Sequence, residues 1–265
     1  MPDAFAHGVR MHYERLGRPT ASPRVVFVHG LVMDNLASWY FSVACAAAAF
    51  ADVLVYDLRG HGLSERPIDG YRVDDMVLDL VGLLDVTFGR DPVCLVGNSF
   101  GALLALEFAR RFPERVTGLV LVDGHLGNDG FADRMVRTLS LRGREADSVI
   151  ADSFRHWLGR ASPRKRDRLI AQARALVHGT SLVSDLGATV PLLASDFSRI
   201  ESPTLALYGE KSDLIGESAP LLASMPDCTL AVLPACTHSV LWEATDEVRA
   251  RMLAFFRRLE QRGAT

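Results

Sequence analysis

The stretch Cys94-Leu95-Val96-Gly97-Asn98-Ser99-Phe100-Gly101-Ala102-Leu103-Leu104 places one hydroxyl between two glycines, with apolar runs on either side. A serine that ends a buried strand and opens a helix lies in a sharp turn. The turn strains its backbone and crowds the residues two before and two after it, and Gly97 and Gly101 relieve that crowding. Such an elbow exposes the Ser99 hydroxyl and sets the first N–H groups of the helix beside it. A serine hydroxyl is a weak nucleophile near neutral pH, so the chemistry needs a base and a carboxylate that orients the base. His238, in PACTHSVLWEA, is the expected base. Asp213, in LYGEKSDLIG, is the expected acid, and Asp123, in LVLVDGH, is the competing carboxylate. The oxyanion that an attacking serine creates would be received by the backbone N–H of Phe100 and by that of Leu31 in VHGLVMDN.

These residues need a scaffold that brings distant segments to one place. Short β-branched runs recur at RVVFVHG (24–30), DVLVYDLRG (52–60), PVCLVGNS (92–99), VTGLVLVDG (116–124), PTLALYGE (203–210) and CTLAVLPA (228–235). Each is almost continuously apolar, the pattern of strands covered on both faces. Helical spacing lies between them at 36–51, 73–88, 100–112 and 246–260. The alternation predicts a mostly parallel sheet with helices on both sides, preceded by a hairpin at His7-Gly8. From about 126 to 200 no strand pattern is evident. Segments such as DRLIAQARALV (167–177) predict an inserted helical cap, with 1–125 and 201–265 forming the core. Ligands of open α/β sheets bind at the carboxyl ends of the strands, so a cap inserted there would roof the site.

Composition narrows the function classes. A chain of 265 residues suffices for one large α/β core. With 49% hydrophobic and 23% charged residues it fits neither a disordered nor a fibrous class. A net charge of -3 offers no basic field to hold a polyanion, so nucleic acid is not an expected partner. Four scattered cysteines without C-x-x-C spacing, two of them in apolar runs, read as buried thiols compatible with a reducing compartment. The N-terminal residues lack a basic segment followed by an apolar one, and SVACAAAAFA (42–51) is too short to span a bilayer, so a cytoplasmic protein without membrane association is expected. Eight histidines show no metal-ligand spacing beyond the weak pair Asp123 and His125, and no metal or cofactor is expected.

Several residues carry two readings. His29 and His61 flank glycines in tight loops, where a histidine more often fixes the loop by hydrogen bonds than performs chemistry. Met33, Trp39, Tyr40, Phe154, Trp157 and Leu158 are equally suited to an apolar pocket wall and to the core. The basic run RASPRKRDRL (160–169) would serve the phosphates of coenzyme A or an acidic carrier protein, or simply form a solvated helix face.

Together, HG at His29-Gly30, DLRGHGLS at 57–64, GNSFG at Gly97–Gly101, Asp213 and His238 resemble the α/β-hydrolase fold superfamily from about Val25 to the C-terminus. The order Ser99, Asp213, His238 matches that family's Ser, acid, His order. The resemblance implies a mostly parallel eight-stranded sheet with a helical lid. It also implies a serine hydrolase that cleaves a carboxylic ester or thioester through an acyl-enzyme. Asn98 stands where many members carry histidine. Asn98, and Trp242-Glu243 after His238, resemble the carbon-carbon bond hydrolases that act on vinylogous diketones, whereas Gly101-Ala102 resembles thioesterases serving acyl carrier proteins. Acyl transfer, or a non-catalytic ligand receptor on the same fold, are the remaining alternatives.

Overall fold

The computed structural model describes residues 2–143 and 163–263. Eight strands, β1 (Asp3–Ala6), β2 (Val9–Gly17), β3 (Arg24–Val28), β4 (Asp52–Tyr56), β5 (Val93–Asn98), β6 (Val116–Val122), β7 (Thr204–Gly209) and β8 (Cys228–Leu233), form one sheet in the order β1-β2-β4-β3-β5-β6-β7-β8. The β1–β2 hairpin is antiparallel and joins β4 antiparallel, and all other pairings are parallel. In register, Val26 of β3 lies between Leu54 of β4 and Leu95 of β5.

Both faces of this sheet are covered, which explains the unbroken apolar runs. Val26 and Val28 join one core with the helices Val73–Thr87 and Phe100–Arg111, while Val25 and Phe27 join the other with the C-terminal helix Thr245–Gly263. Burying a Val, Leu or Phe side chain contributes about 1.5–3 kcal/mol each, so the strands at the centre of both cores are the most strongly held. All four cysteines are free, but only Cys94 and Cys236 are buried as expected: Cys228 is half-buried, and Cys45 is exposed. Among the described residues no helix is long and apolar enough to cross a membrane.

The helix expected at 36–51 is divided. Ala37–Trp39 and Cys45–Ala47 are α-helical, and Tyr40–Ala44 between them is π-helical. Trp39 belongs to the core rather than to a pocket: it is fully buried against Phe27, and its indole N–H donates to the Val28 carbonyl at 3.1 Å. Tyr40 packs against the same core. Between β6 and β7 the described residues form the helices Phe131–Leu139, Pro163–Gly179, Leu182–Gly187 and Ala194–Phe197, with no strand among them. Phe154, Trp157, Leu158 and residues 160–162 of the basic run lie outside the described residues. Arg164 and Arg168 of that run are exposed.

Candidate active site

The carboxyl ends of β5, β6, β7 and β8 lie side by side, and the loop after each contributes to one site. Ser99 follows β5 with φ 53° and ψ -117°, a strained conformation for a residue with a side chain. Its N–H donates to the Val122 carbonyl at 2.9 Å, and its own carbonyl accepts the His125 N–H at 3.1 Å, so the end of β6 holds the turn. The glycines make it possible. A Cβ on Gly97 would lie 2.3 Å from the Gly101 carbonyl oxygen, and one on Gly101 would lie 2.3 Å from that of Val28. Ala102 has its own complement, since a Cβ on Gly124 would come within 2.3 Å of the Ala102 methyl.

Ser99 Oγ lies 3.0 Å from Nε2 of His238, and Nδ1 of His238 lies 2.9 Å from Oδ1 of Asp123. Because Nδ1 faces a carboxylate, it carries the proton and donates, which leaves Nε2 free to accept one from the serine. The His238 loop is pinned by Glu243, whose carboxylate accepts the Thr237 N–H at 2.6 Å and the Thr237 hydroxyl at 2.9 Å.

The partner of His238 is thus Asp123, which replaces Asp213 of the sequence expectation. Asp123 is fully buried and, like Ser99, has a positive φ, here 41°. Besides His238, its carboxylate accepts the Gly209 N–H at 2.7 Å and a short hydrogen bond from the Ser212 hydroxyl. Three donors satisfy a carboxylate that would be costly to bury unpaired. The loop after β7 therefore supplies Ser212 as a support for the acid. Asp213, one residue further on, is exposed at the cavity and makes no hydrogen bond to His238 among the described residues.

The loop after β3 is held from several sides. Asp34 accepts the Gly30 N–H at 2.8 Å and the Asn35 N–H at 2.9 Å, together with a short bond from Ser38. The N–H groups of Leu31 and Phe100, the expected oxyanion donors, make no hydrogen bond to another described residue, and both residues line the cavity beside Ser99. Val32 has φ 72°, a left-handed conformation unusual for a β-branched residue, and its N–H donates to His61 Nε2 at 2.8 Å. His61 Nδ1 donates to the Arg59 carbonyl at 2.8 Å, so the ring is a neutral brace. Burial, with help from the neighbouring His29, pushes its pKa down to about 3. His29 bridges in the other direction, since Nδ1 donates to the Gly30 carbonyl at 2.6 Å and Nε2 accepts the Leu58 N–H at 3.0 Å. Asp57 adds two links by accepting the N–H groups of Leu36 and Leu63. Both histidines have the structural role that their glycine-flanked loops suggested.

Ser99 opens into a cavity of about 620 Å³. Its apolar lining includes Leu31, Met33, Leu139, Val177, Leu214 and Trp242, so Met33 is a wall residue while Trp39 and Tyr40 are not. Leu139 and Val177 belong to helices between β6 and β7, so that segment walls the space above the serine. Asp34, Ser212 and His125 were not singled out as site residues by sequence. Only the Asp-Gly-His run at 123–125 gave a local signal, as a possible metal pair.

A mostly parallel eight-stranded sheet with a serine elbow after β5 and a histidine after β8 defines the α/β-hydrolase class. The chain belongs to the alpha/beta hydrolase family, whose sequence profile matches residues 25–251. It is 26% identical to a 2-hydroxy-6-oxononadienedioate/2-hydroxy-6-oxononatrienedioate hydrolase of Burkholderia vietnamiensis, over 94% of this chain and 92% of that protein. It is 27% identical to a 2-(acetamidomethylene)succinate hydrolase of Mesorhizobium japonicum, over 89% and 88% of the two chains. An enol-lactonase from Burkholderia xenovorans shares the fold with a TM-score of 0.76 at 22% identity, covering 97% of this chain and 100% of the other.

Proposed function

We propose that this protein is a serine hydrolase that cleaves a carboxylic ester or thioester. In this reading Ser99 Oγ attacks the carbonyl carbon while His238 Nε2 takes the serine proton, and Asp123 orients and stabilises the imidazolium that forms. The N–H groups of Leu31 and Phe100 receive the oxyanion. Collapse expels the alcohol or thiol, which takes the proton from Nε2. A water that gives a proton to His238 then attacks the acyl-enzyme, and the acid leaves as Ser99 regains its hydrogen. The observation that carries the reading is the unbroken path from Ser99 Oγ through His238 to the buried Asp123, at 3.0 and 2.9 Å. Acyl groups carried on coenzyme A or an acyl carrier protein belong to the proposed substrate range. Steady-state assay of a short-chain aryl ester tests the proposal. Ser99→Ala is expected to lose turnover while keeping its melting temperature, and unchanged hydrolysis by that variant would refute the assignment.

A second reading, carbon-carbon cleavage of a vinylogous diketone, is favoured by the 26% identity to the nonadienedioate hydrolase and by Asn98, which lines the cavity before Ser99. Assaying an ester, an acyl thioester and a ring-fission diketone side by side separates the two. Turnover of the diketone alone would select the second.

A further inference from the structure

His125 lies in the cavity wall, and the relay from Ser99 to Asp123 leaves its side chain unused. Its backbone is fixed by the bond to the Ser99 carbonyl, and its ring sits edge-on to Phe131 with centroids 5.5 Å apart. The ring centroid lies 5.7 Å from that of His238. Nδ1 of His125 is sealed from solvent and has no hydrogen-bond partner among the described residues. Burial, with the nearby His238 and Arg134 adding to it, lowers the pKa of the ring to about 3, so the imidazole is neutral and carries one proton. A buried N–H without an acceptor costs more than a lone pair in the same place, so that proton belongs on Nε2. His125 lines the cavity and Nδ1 is its sealed nitrogen, so we infer that Nε2 is the nitrogen turned toward the cavity.

His238 must hand its proton to the departing atom, so the leaving group lies against His238 and within reach of its neighbour. We propose that His125 is a positioning residue that donates a hydrogen bond from Nε2 to an acceptor oxygen on the leaving group, and so selects substrates whose leaving group carries a carboxylate or carbonyl close to the departing atom. This rests on the proposed hydrolytic site. It adds a requirement on the leaving group, where the relay alone sets requirements only on the scissile carbonyl.

The test compares two ligands with the same acyl group, O-butyrylglycolate and propyl butyrate, bound to full-length Ser99→Ala protein and measured by calorimetry. Ser99→Ala is expected to bind the glycolate ester about tenfold or more tightly than the propyl ester, the effect of one well-placed hydrogen bond. Adding His125→Phe, which keeps a ring against Phe131 but removes the donor, should erase that preference. Adding His125→Gln, which keeps an N–H, should restore part of it. A purely structural role for His125 would weaken both ligands together and leave their ratio unmoved. The proposal is overturned if Ser99→Ala shows no preference or binds neither ester, or if the preference survives in His125→Phe. Turnover of the two esters by the unmodified enzyme is scored separately, so that failure of the hydrolytic reading is distinguishable from failure of the His125 assignment.

Discussion

The residue that most changes the account is Asp123. Asp123 and Asp213 each follow a strand, and they differ in what surrounds them. Asp123 is sealed and accepts hydrogen bonds from His238, Gly209 and Ser212, whereas Asp213 stands exposed at the cavity rim. Asparagine at an orienting acid spoils the imidazole tautomer and typically lowers kcat by about 10⁴. Asp123→Asn is therefore expected to reduce ester turnover by about 10³–10⁴ in steady-state assays, and Asp213→Asn to stay within about threefold of the parent. Equal losses in the two variants would contradict the geometry. Ser99 and His238 were legible in the sequence because an elbow leaves a glycine spacing behind and the base falls in the loop after the last strand. The acid was not, because the sequence holds two candidates at two strand ends. The choice between them depends on Ser212 turning inward one position before Asp213, which is a three-dimensional fact.

Among the elements, the turn from β5 into the helix Phe100–Arg111 leaves no room for a side chain at Gly97 or Gly101. Gly101→Ala would press a methyl onto the Val28 carbonyl, and overpacking of this kind costs about 1–3 kcal/mol or more. A lowered melting temperature with weakened activity is the expected result, whereas Ala102→Gly removes only the methyl that packs against Gly124 and, with the helix propensity lost, should cost about 1 kcal/mol. The loops after β3 and β4 make a second prediction. His61 is held neutral with a pKa of about 3, against 6.5 for an ordinary histidine, so the unfolded chain takes up a proton between these values that the folded chain refuses. The stability it contributes is complete above pH 6.5 and is lost as pH falls toward 3, by at most about 1.4 kcal/mol per pH unit. Urea titrations at pH 7 and pH 4.5 should show a smaller acid loss for His61→Gln than for the parent. The strands themselves were legible because both faces of the sheet are buried and each run is continuously apolar. The π-helical turn at Tyr40–Ala44 was not, since its residues Tyr-Phe-Ser-Val-Ala continue the helical pattern of the flanking segments and carry no signal for a local change of pitch.

For the molecule as a whole, the sheet fixes the reacting groups and the segment between β6 and β7 bounds the space available to substrate. A cavity of about 620 Å³ is within the range of small-molecule sites and has room for an acyl chain beside Ser99. Val177, on the helix Pro163–Gly179, lines it. Val177→Trp is expected to shorten the accepted chain, lowering kcat/KM for an octanoyl ester at least about tenfold relative to an acetyl ester, since each buried methylene is worth about 0.8 kcal/mol. An unchanged chain-length profile would place the acyl group elsewhere. In the proposed mechanism one hydrogen-bonded path makes a single hydroxyl nucleophilic, and an active-site-directed fluorophosphonate reads that nucleophilicity. Intact-mass and peptide-level measurement should find one adduct, on Ser99, formed about 10³-fold more slowly in Asp123→Asn and at near-parental rate in Asp213→Asn. An adduct on another residue, or equally fast labelling of Ser99 in Asp123→Asn, would contradict it.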